Sequence, residues 1–390
     1  MSSALDGVRV VDLSRVLAGP LCTQILADHG AEVIKVESPQ GDETRTFGAP
    51  VRDGSAAYFL GLNRNKTALV LDLKQDAARD ALARLLEGAD VLIENFLPGT
   101  MEKWGFGWEE LSQRHPKLVY CSITGFGAAG PLGGLPGYDA VLQAVCGLMS
   151  VNGDAQAHGT RIGVPVVDIT TGLNAATGIL MALVERARSG RGQRVETCLY
   201  DCALSTLHPQ GAAWLNGANE SPPMGSAHPA IYPYDKFRAG EGQVYLGVSN
   251  NTQFRRFASV VGHPRLAEDP RYASNALRSE NRAALRAEIE SVLADVEAEA
   301  LCAKLMAAGV PAGVLNSVSA ALEHPHTAAR QMRVAAGDYE GVGIPVKLSR
   351  TPGAVRSAPP AMGADTRRVL AQLSYAEGEI SALYASGAVK

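Results

Sequence analysis

The alternation of strand and helix patterns in the first part of the chain constrains the fold more than any other sequence feature. Segments with strand-like periodicity are separated by segments with helical spacing, as in 76–87, where leucines recur at positions 82, 85 and 86. Alternating β and α patterns predict an α/β fold with a parallel sheet covered by helices. The predicted strands are 8–13, 32–37, 68–73, 90–94 and 118–123, and the first predicted helix is 21–27, after a break at 18–20.

The length of the chain predicts more than one lobe, because 390 residues exceed what one ordinary hydrophobic core accommodates. Asn, Gly, Ser, Pro and His cluster over 216–230, which indicates a linker. Beyond it, 243–249 is predicted as a strand, 281–294 and 296–308 as helices, and a last helix follows Asp365.

The composition excludes several classes of function. The 36 basic and 40 acidic residues are interspersed, so no nucleic-acid-binding face is expected. The six cysteines include no CxxC pair and are interpreted as reduced core residues. No apolar run approaches the ~18 residues that span a bilayer, and the N-terminus lacks a signal-peptide pattern. We therefore expect no membrane association and predict a cytoplasmic location.

Two short motifs suggest cofactor or metal sites, and neither has the context that such a site needs. Residues 125–130 fit GxGxxG, but Pro131 and further glycines follow where a dinucleotide-binding helix would begin, so a glycine-rich surface loop is predicted. A proline separates His324 from His326, and the segment is interpreted as a loop with two ordinary histidines, so we predict no metal site there.

Asp168 is the main candidate for chemistry. It ends the strand-like segment 163–168, just before a helical pattern that runs to about Arg188. Aspartate is a favoured N-cap residue, so a purely structural role is one interpretation. The other is a covalent nucleophile, held ionised and oriented by backbone N–H groups and the helix dipole. The local sequence leaves both interpretations open.

Nine short motifs occur in order along nearly the whole chain, at 13–20, 30–37, 65–66, 72–74, 94–99, 122–127, 190–193, 228–234 and 309–313. Together they resemble the class III CoA-transferase family (the CaiB–BaiF type). The ordered set is specific although each motif alone is weak. The resemblance favours the nucleophile interpretation of Asp168.

The resemblance implies a Rossmann-like large domain built from both chain ends, a smaller α/β domain and an interlocked homodimer. The implied boundaries are 1–204 for the N-terminal part of the large domain, 205–224 for a linker, 225–320 for the small domain and 321–390 for the return to the large domain.

The resemblance also implies the ligands. CoA enters as the thioester substrate, no cofactor is bound permanently, and a carboxylic acid is the second substrate. CoA would pass from succinyl-CoA to a dicarboxylate through an aspartyl-CoA thioester on Asp168. Arg45 is the candidate for the second substrate carboxylate. The residues that match CoA contacts of the family are Val16, Leu71, Lys74, Asn95, Phe96 and Lys103.

An α-methylacyl-CoA racemase is the alternative that the resemblance leaves open. Racemases of the family carry a Gly-His-Asp triplet, whereas this chain has Tyr138 between Gly137 and Asp139, and a tyrosine is a poor base at neutral pH. Leu17 and the short segment 225–227 argue against formyl transfer. Residues 225–228 are predicted to cover the active site.

Overall fold

The computed structural model describes residues 3–156, 159–220 and 222–390. The chain forms two compact units. The larger comprises Met1–Cys146, Ile162–His208 and Pro325–Lys390, and the smaller comprises Gly147–Arg161 and Pro209–His324. The boundaries given above remain a prediction, and part of the predicted linker forms a helix, Gln210–Leu215.

The larger unit is built on a six-stranded sheet whose strands are all parallel. The prediction of an α/β fold with a parallel sheet is confirmed, because helices alternate with the strands of this sheet along the chain. The spatial order is β3-β2-β1-β4-β5-β6. The strands are β1 (Arg9–Asp12), β2 (Glu32–Glu37), β3 (Lys66–Val70), β4 (Val91–Glu94), β5 (Val119–Thr124) and β6 (Arg194–Cys198).

Helices cover the sheet and bury its apolar side chains. The helices used below are α1 (Ala18–Asp28), α2 (Asp76–Leu86), α3 (Asp139–Val145) and α4 (Val166–Ser189). The others in this unit are Ala57–Leu60, Thr100–Lys103, Trp108–Arg114, Leu199–Ser205, Pro325–Ala329, Thr366–Gln372 and Glu377–Ala385. Two hairpins pair Pro50–Arg52 with Ser55–Ala56, and Arg333–Ala336 with Tyr339–Val342.

Helix α1 begins three residues earlier than predicted. The sequence 18–20 was interpreted as a break because it contains Gly19 and Pro20, yet all three residues are helical. Proline is tolerated in a first turn, where the backbone N–H that it lacks would have no intrahelical partner. The turn after β1 therefore leads directly into the helix.

Helix α4 corrects the expectation about apolar runs. It is long and apolar enough to cross a bilayer, with a mean hydropathy of 1.5 over 18 residues. Core helices of folded domains can have the same length and composition. Here Val167, Ala175 and Ile179 are buried, and the helix packs against α1, β5 and β6.

The smaller unit has its own core beside a three-stranded antiparallel sheet. Its strands β7 (Tyr234–Ala239), β8 (Gly242–Gly247) and β9 (Ala312–Val314) lie in the order β9-β8-β7. Phe237, Phe254 and Phe257 are among the buried core residues. Its helices are Leu148–Val151, Gln210–Leu215, Asn251–Val260, Arg265–Glu268, Asn275–Glu280, Arg282–Val292, Ala298–Ala307 and Val318–Glu323.

Candidate active site

A cavity of about 210 Å³ lies at the carboxyl edge of the parallel sheet. The segments that follow β1, β4 and β5 meet there, as expected for ligand sites of open α/β sheets. Asp168, in the first turn of α4, lines the same cavity. The wall consists of Arg15, Val16, Leu17, Ala18, Glu43, Asn95, Phe96, Leu97, Pro98, Ile123, Thr124, Gly125, Leu135, Pro136, Gly137, Tyr138, Asp168 and Leu199.

Asp168 is placed differently from its predicted position. It does not end a strand and does not cap the helix, because Val166 already begins α4 and Pro165 occupies the N-cap position. The two valines before Asp168 favour a strand by local propensity. The tertiary structure overrides that preference, because the first N–H groups of α4 have a partner elsewhere in the fold.

That partner is Asp139, the first residue of α3. Its Oδ1 accepts hydrogen bonds from the backbone N–H of Val167 at 2.8 Å and of Asp168 at 3.2 Å. Gln143 Nε2 donates to Asp139 Oδ2 at 2.7 Å, and Gln143 Oε1 accepts from the Ile162 N–H at 2.8 Å. Asp139 thus caps α4 from another helix, and the carboxylate of Asp168 is left uncommitted.

The environment of Asp168 makes its carboxyl group unusually basic. The residue is only 9% exposed, and among the residues that the structure describes none donates a hydrogen bond to its carboxylate. Burial first, and the neighbouring charge of Asp139 second, raise its pKa to about 7. The N-terminus of α4 favours the charged form. Burial and the charge of Asp139 therefore oppose the ionised state that was expected from the backbone N–H groups and the helix dipole.

The glycine-rich loop after β5 folds back on itself and forms one wall of the cavity. A Cβ atom on Gly125 would lie 2.7 Å from the backbone nitrogen of Gly137, so only glycine permits this approach. The next helix, α3, starts only at Asp139. The loop therefore lacks the helix that follows directly in a dinucleotide-binding motif, in agreement with the interpretation of 125–130.

The structure brings together most of the residues predicted to contact CoA. Val16, Asn95 and Phe96 line the cavity of Asp168. A second cavity of about 130 Å³ is lined by Leu71 and Lys74, and it shares Arg15 and Phe96 with the first. Lys103 lines neither cavity and is exposed next to Trp104, which lines the second.

Arg45 is not brought into either cavity. It is 7% exposed, and its guanidinium donates to both carboxylate oxygens of Glu37, at 2.6 and 2.9 Å, and to Ser55 at 2.7 Å. It also lies over the ring of Phe59. The structure therefore gives no support to the prediction that Arg45 binds a substrate carboxylate.

Arg15 is the cation that sequence reasoning did not select for this role. It lines both cavities, and its side chain is 49% exposed and paired with Glu43 at 2.7 Å. Its backbone is fixed by Asn95, which accepts from the Arg15 N–H and donates to the Arg15 carbonyl. The position of Arg15 directly after β1 was visible in the sequence, but several other cations also lie near predicted strand ends.

Comparisons with known proteins agree with this geometry. The family model described as CoA-transferase family III matches residues 5–366. A succinate–glutarate CoA-transferase of Agrobacterium fabrum is 38% identical, over 96% of this chain and 96% of that protein. An acetyl-CoA:oxalate CoA-transferase of Acetobacter aceti is 39% identical, over 88% and 89%.

A solved structure extends the agreement to the fold. The crystal structure of a CaiB/BaiF family protein from Brucella suis superimposes with a TM-score of 0.88 at 39% identity, and the match covers 96% of this chain and 100% of that one. The cavity at the sheet edge, the sequence motifs and these matches lead to one assignment: the chain belongs to CoA-transferase family III.

Proposed function

We propose that this enzyme transfers CoA from an acyl-CoA thioester to a free carboxylate through a covalent aspartyl-CoA thioester on Asp168. The observation that carries the proposal is the carboxylate of Asp168, which is buried, uncommitted and part of the cavity wall. Carboxylates are established covalent nucleophiles. A pKa of about 7 provides a charged yet basic carboxylate near neutral pH.

The proposed exchange proceeds by acyl transfers that balance without a net proton or electron. Asp168 attacks the thioester carbonyl, a C–O bond forms, the C–S bond breaks, and CoA leaves as the thiolate. The thiolate then attacks the Asp168 carbonyl of the mixed anhydride, and the donor acid leaves as a carboxylate. The acceptor carboxylate attacks the resulting aspartyl-CoA thioester, and the two steps run in reverse to restore Asp168.

Each tetrahedral intermediate needs hydrogen-bond donors for its oxyanion. The first N–H groups of α4 were candidates, but those of Val167 and Asp168 are bonded to Asp139. The backbone of Gly125 and Gly137 lines the cavity, so the glycine loop remains the candidate source within the larger unit. The segment 225–228 stays a predicted cover, belonging to the smaller unit.

The CoA moiety is proposed to occupy the two adjoining cavities as a substrate, with no permanently bound cofactor. Val16, Asn95 and Phe96 would contact the part near the thioester, and Leu71 and Lys74 the part that extends into the second cavity. Lys103, exposed at the end of its helix, is available to pair with a phosphate.

We further propose a dicarboxylate as the acceptor and succinyl-CoA as the donor. The name of the Agrobacterium fabrum relative pairs succinate with glutarate for that protein, which supports this choice. One carboxylate of such a substrate reacts at Asp168, and the second needs a cation. Arg15 is the cation in the wall of the Asp168 cavity. It can exchange its partner Glu43 for a substrate carboxylate because both side chains are partly exposed.

A Rossmann-like large domain and an interlocked cytoplasmic homodimer complete the proposal. The strand order β3-β2-β1-β4-β5-β6 is that of doubly wound folds. An exposed apolar stripe on α4 supports a contact between the two subunits at this helix, because patches of this kind mark association surfaces. Its members recur at helical spacing: Leu173, Leu180, Met181 and Val184.

The residues of the site give little support to the racemase alternative. Tyr138 is 59% exposed at the point where a racemase carries its histidine, and Asp139 is engaged in capping α4. Deuterium incorporation at the α-carbon of a 2-methylacyl-CoA would support that alternative; we expect none.

The nucleophile is tested by trapping. Protein is incubated with succinyl-CoA, treated with hydroxylamine, and digested for mass spectrometry. We expect the modified residue to be Asp168, and we expect Asp168→Ala to lose the exchange of label between succinyl-CoA and free succinate. Asp80→Ala, at an exposed aspartate on α2, is the control. It should retain both the modification at Asp168 and the exchange of label. Modification at another residue, or full activity of Asp168→Ala, contradicts the proposal.

A further inference from the structure

Four charged side chains lie buried next to the turn that follows β1, and the mechanism above gives none of them a role, although Lys35 and Asp42 also line the second cavity. Asp12, Lys35, Asp42 and Lys66 are each at most 5% exposed. They form two ion pairs, Lys35–Asp42 at 3.0 Å and Lys66–Asp12 at 3.2 Å. Buried charges are unfavourable unless they are paired and hydrogen-bonded, so such a group in the core suggests a specific task.

The network binds the backbone of the turn at several atoms. Lys35 Nζ donates to the Ser14 carbonyl at 2.8 Å, and the Ser14 N–H donates to Asp12 at 2.9 Å. The Val16 N–H donates to Asp42 Oδ1 at 3.3 Å. The ion pair Lys35–Asp42 thus fixes the turn from both sides of Arg15.

The turn needs such support because of Val16. Its φ is +71°, in the left-handed region that a β-branched residue strongly disfavours. A conformation of this kind persists only where the surroundings over-determine it, and it is found most often at functional sites. Val16 and Arg15 both line the cavity that contains Asp168.

We propose that Lys35 and Asp42 are positioning residues of the active site. They hold Val16 in its left-handed conformation and so preform the wall against which the CoA thioester lies. The identity of that ligand rests on the proposed function; the contacts of Lys35 and Asp42 with the turn do not.

The charges needed for this role persist across the ordinary pH range. Burial opposes the charge of Lys35, but Asp42, Asp12 and Glu37 outweigh it and raise the pKa of Lys35 above its usual value. Burial also opposes the charge of Asp42, yet Lys35 and Thr44 hold its pKa below the usual value. The positioning effect is therefore independent of the titration of Asp168.

The test compares two buried ion pairs of the larger unit. Asp42→Asn weakens the pair that touches the turn, and Asp28→Asn weakens the pair with Arg64, whose side chains are each 4% exposed and whose contacts lie elsewhere. Both variants should melt at a lower temperature than the wild type. Only Asp42→Asn should weaken CoA binding, measured by calorimetry on folded protein, and raise KM for succinyl-CoA, each by about tenfold or more.

The outcomes separate positioning from general stabilisation. Unchanged CoA affinity in Asp42→Asn, or an equal loss in Asp28→Asn, overturns the positioning role. Wild-type protein that binds CoA but forms no adduct at Asp168 overturns the proposed nucleophile and leaves the positioning role standing.

If Asp42→Asn does not fold, a milder variant tests the positioning role of Asp42. Thr44 Oγ1 donates to Asp42 Oδ1 at 2.7 Å, and Thr44→Val removes this bond with little change of shape. We expect CoA affinity to fall about threefold, as for the loss of one orienting hydrogen bond. Wild-type affinity in Thr44→Val would contradict the role of Asp42.

Discussion

Asp139 Oδ1 accepts the backbone N–H of Asp168 at 3.2 Å, so one carboxylate caps the helix from which the other lines the cavity. This arrangement has an electrostatic consequence. The cap requires Asp139 to be close to Asp168, and the resulting like charge adds to burial in raising the pKa of Asp168 to about 7. The basicity of the nucleophile is therefore linked to the way its helix is terminated.

Asp139→Asn should shift the pH dependence of catalysis. The asparagine oxygen can still accept the two N–H groups of α4, but the negative charge is gone. The pKa of Asp168 should then fall, and the acidic limb of log kcat/KM against pH should move to lower pH. A pH–rate profile measures the shift. Asp139→Ala is the comparison, because it also removes the cap and should cost about 1 kcal/mol of stability. An unchanged acidic limb in Asp139→Asn would contradict the coupling.

Asp168→Asn should stabilise the protein at alkaline pH. The carboxyl pKa rises from 3.8 in its ordinary state to about 7 in the fold. A carboxyl group with a raised pKa favours folding below its unfolded pKa, and this contribution is lost as pH rises through the folded value. At about pH 8 the neutral variant should be more stable by roughly 2–4 kcal/mol. In thermal melting, the stability difference between Asp168→Asn and the wild type should shrink as the pH falls towards about 4. An equal difference at about pH 8 and about pH 4 would be inconsistent with a raised pKa of Asp168.

Arg15→Gln should discriminate between classes of acceptor acid. If Arg15 binds the second carboxylate, KM for glutarate should rise about tenfold or more, as for the loss of a charge-assisted bidentate contact. KM for a monocarboxylate such as butyrate should change little. Glu43→Gln is the matched control, because it removes the ion-pair partner of Arg15. The KM for glutarate should not rise in this variant. A parallel rise for both acids, or for CoA itself, would assign Arg15 to the CoA moiety instead.

Arg45→Met should act on stability and not on acceptor binding. Its loss leaves Glu37, whose side chain is 1% exposed, as an unpaired buried charge. Breaking a buried pair in this way costs about 3–5 kcal/mol, which a denaturant titration resolves. The ratio of glutarate to butyrate KM should remain that of the wild type. A selective loss of glutarate binding would restore the original prediction for Arg45.

Charge on the exposed stripe of α4 should weaken subunit association. Met181 and Val184 are 66% and 64% exposed, and Met181→Glu with Val184→Glu places two charges in the proposed interface. After refolding from denaturant, when interlocked subunits must assemble, sedimentation should show less dimer and more monomer than for the wild type. Val51→Glu, at a valine that is 67% exposed on a short hairpin, serves as the control. A wild-type yield of dimer from the refolded double variant would exclude α4 from the interface.

Local periodicity was sufficient to predict most of the large sheet. The strand Glu32–Glu37 has the predicted bounds, and the bounds of Arg9–Asp12 and Val91–Glu94 differ from the prediction by at most one residue, because apolar alternation is a local property of the sequence. Lys66–Val70 begins two residues and ends three residues before the predicted bounds.

The start of α1 and the nature of 163–168 were predicted wrongly. Both depend on helix termini. Pro20 fits the first turn of α1, where its missing N–H would have no intrahelical partner. The N–H groups of Val167 and Asp168 have a tertiary partner in Asp139.

The site was less accessible to prediction because its contacts are long-range. Asp139 was noted only as part of a triplet, and nothing near it in sequence indicates that it caps a helix that begins at Val166. Its charge makes Arg45 a candidate in the sequence, and its pairing with Glu37 is visible only in the fold. Electrostatic partners of this kind are set by the packing of separate elements, which periodicity does not encode.

The cap supplied by Asp139 also gives the enzyme a practical property. The proposed nucleophile contributes no side-chain bond to the start of its own helix, so Asp168→Ala should leave α4 and the cavity wall in place. Such a protein would bind acyl-CoA without consuming it, and could be crystallised with both substrates to observe the complex before the first bond forms.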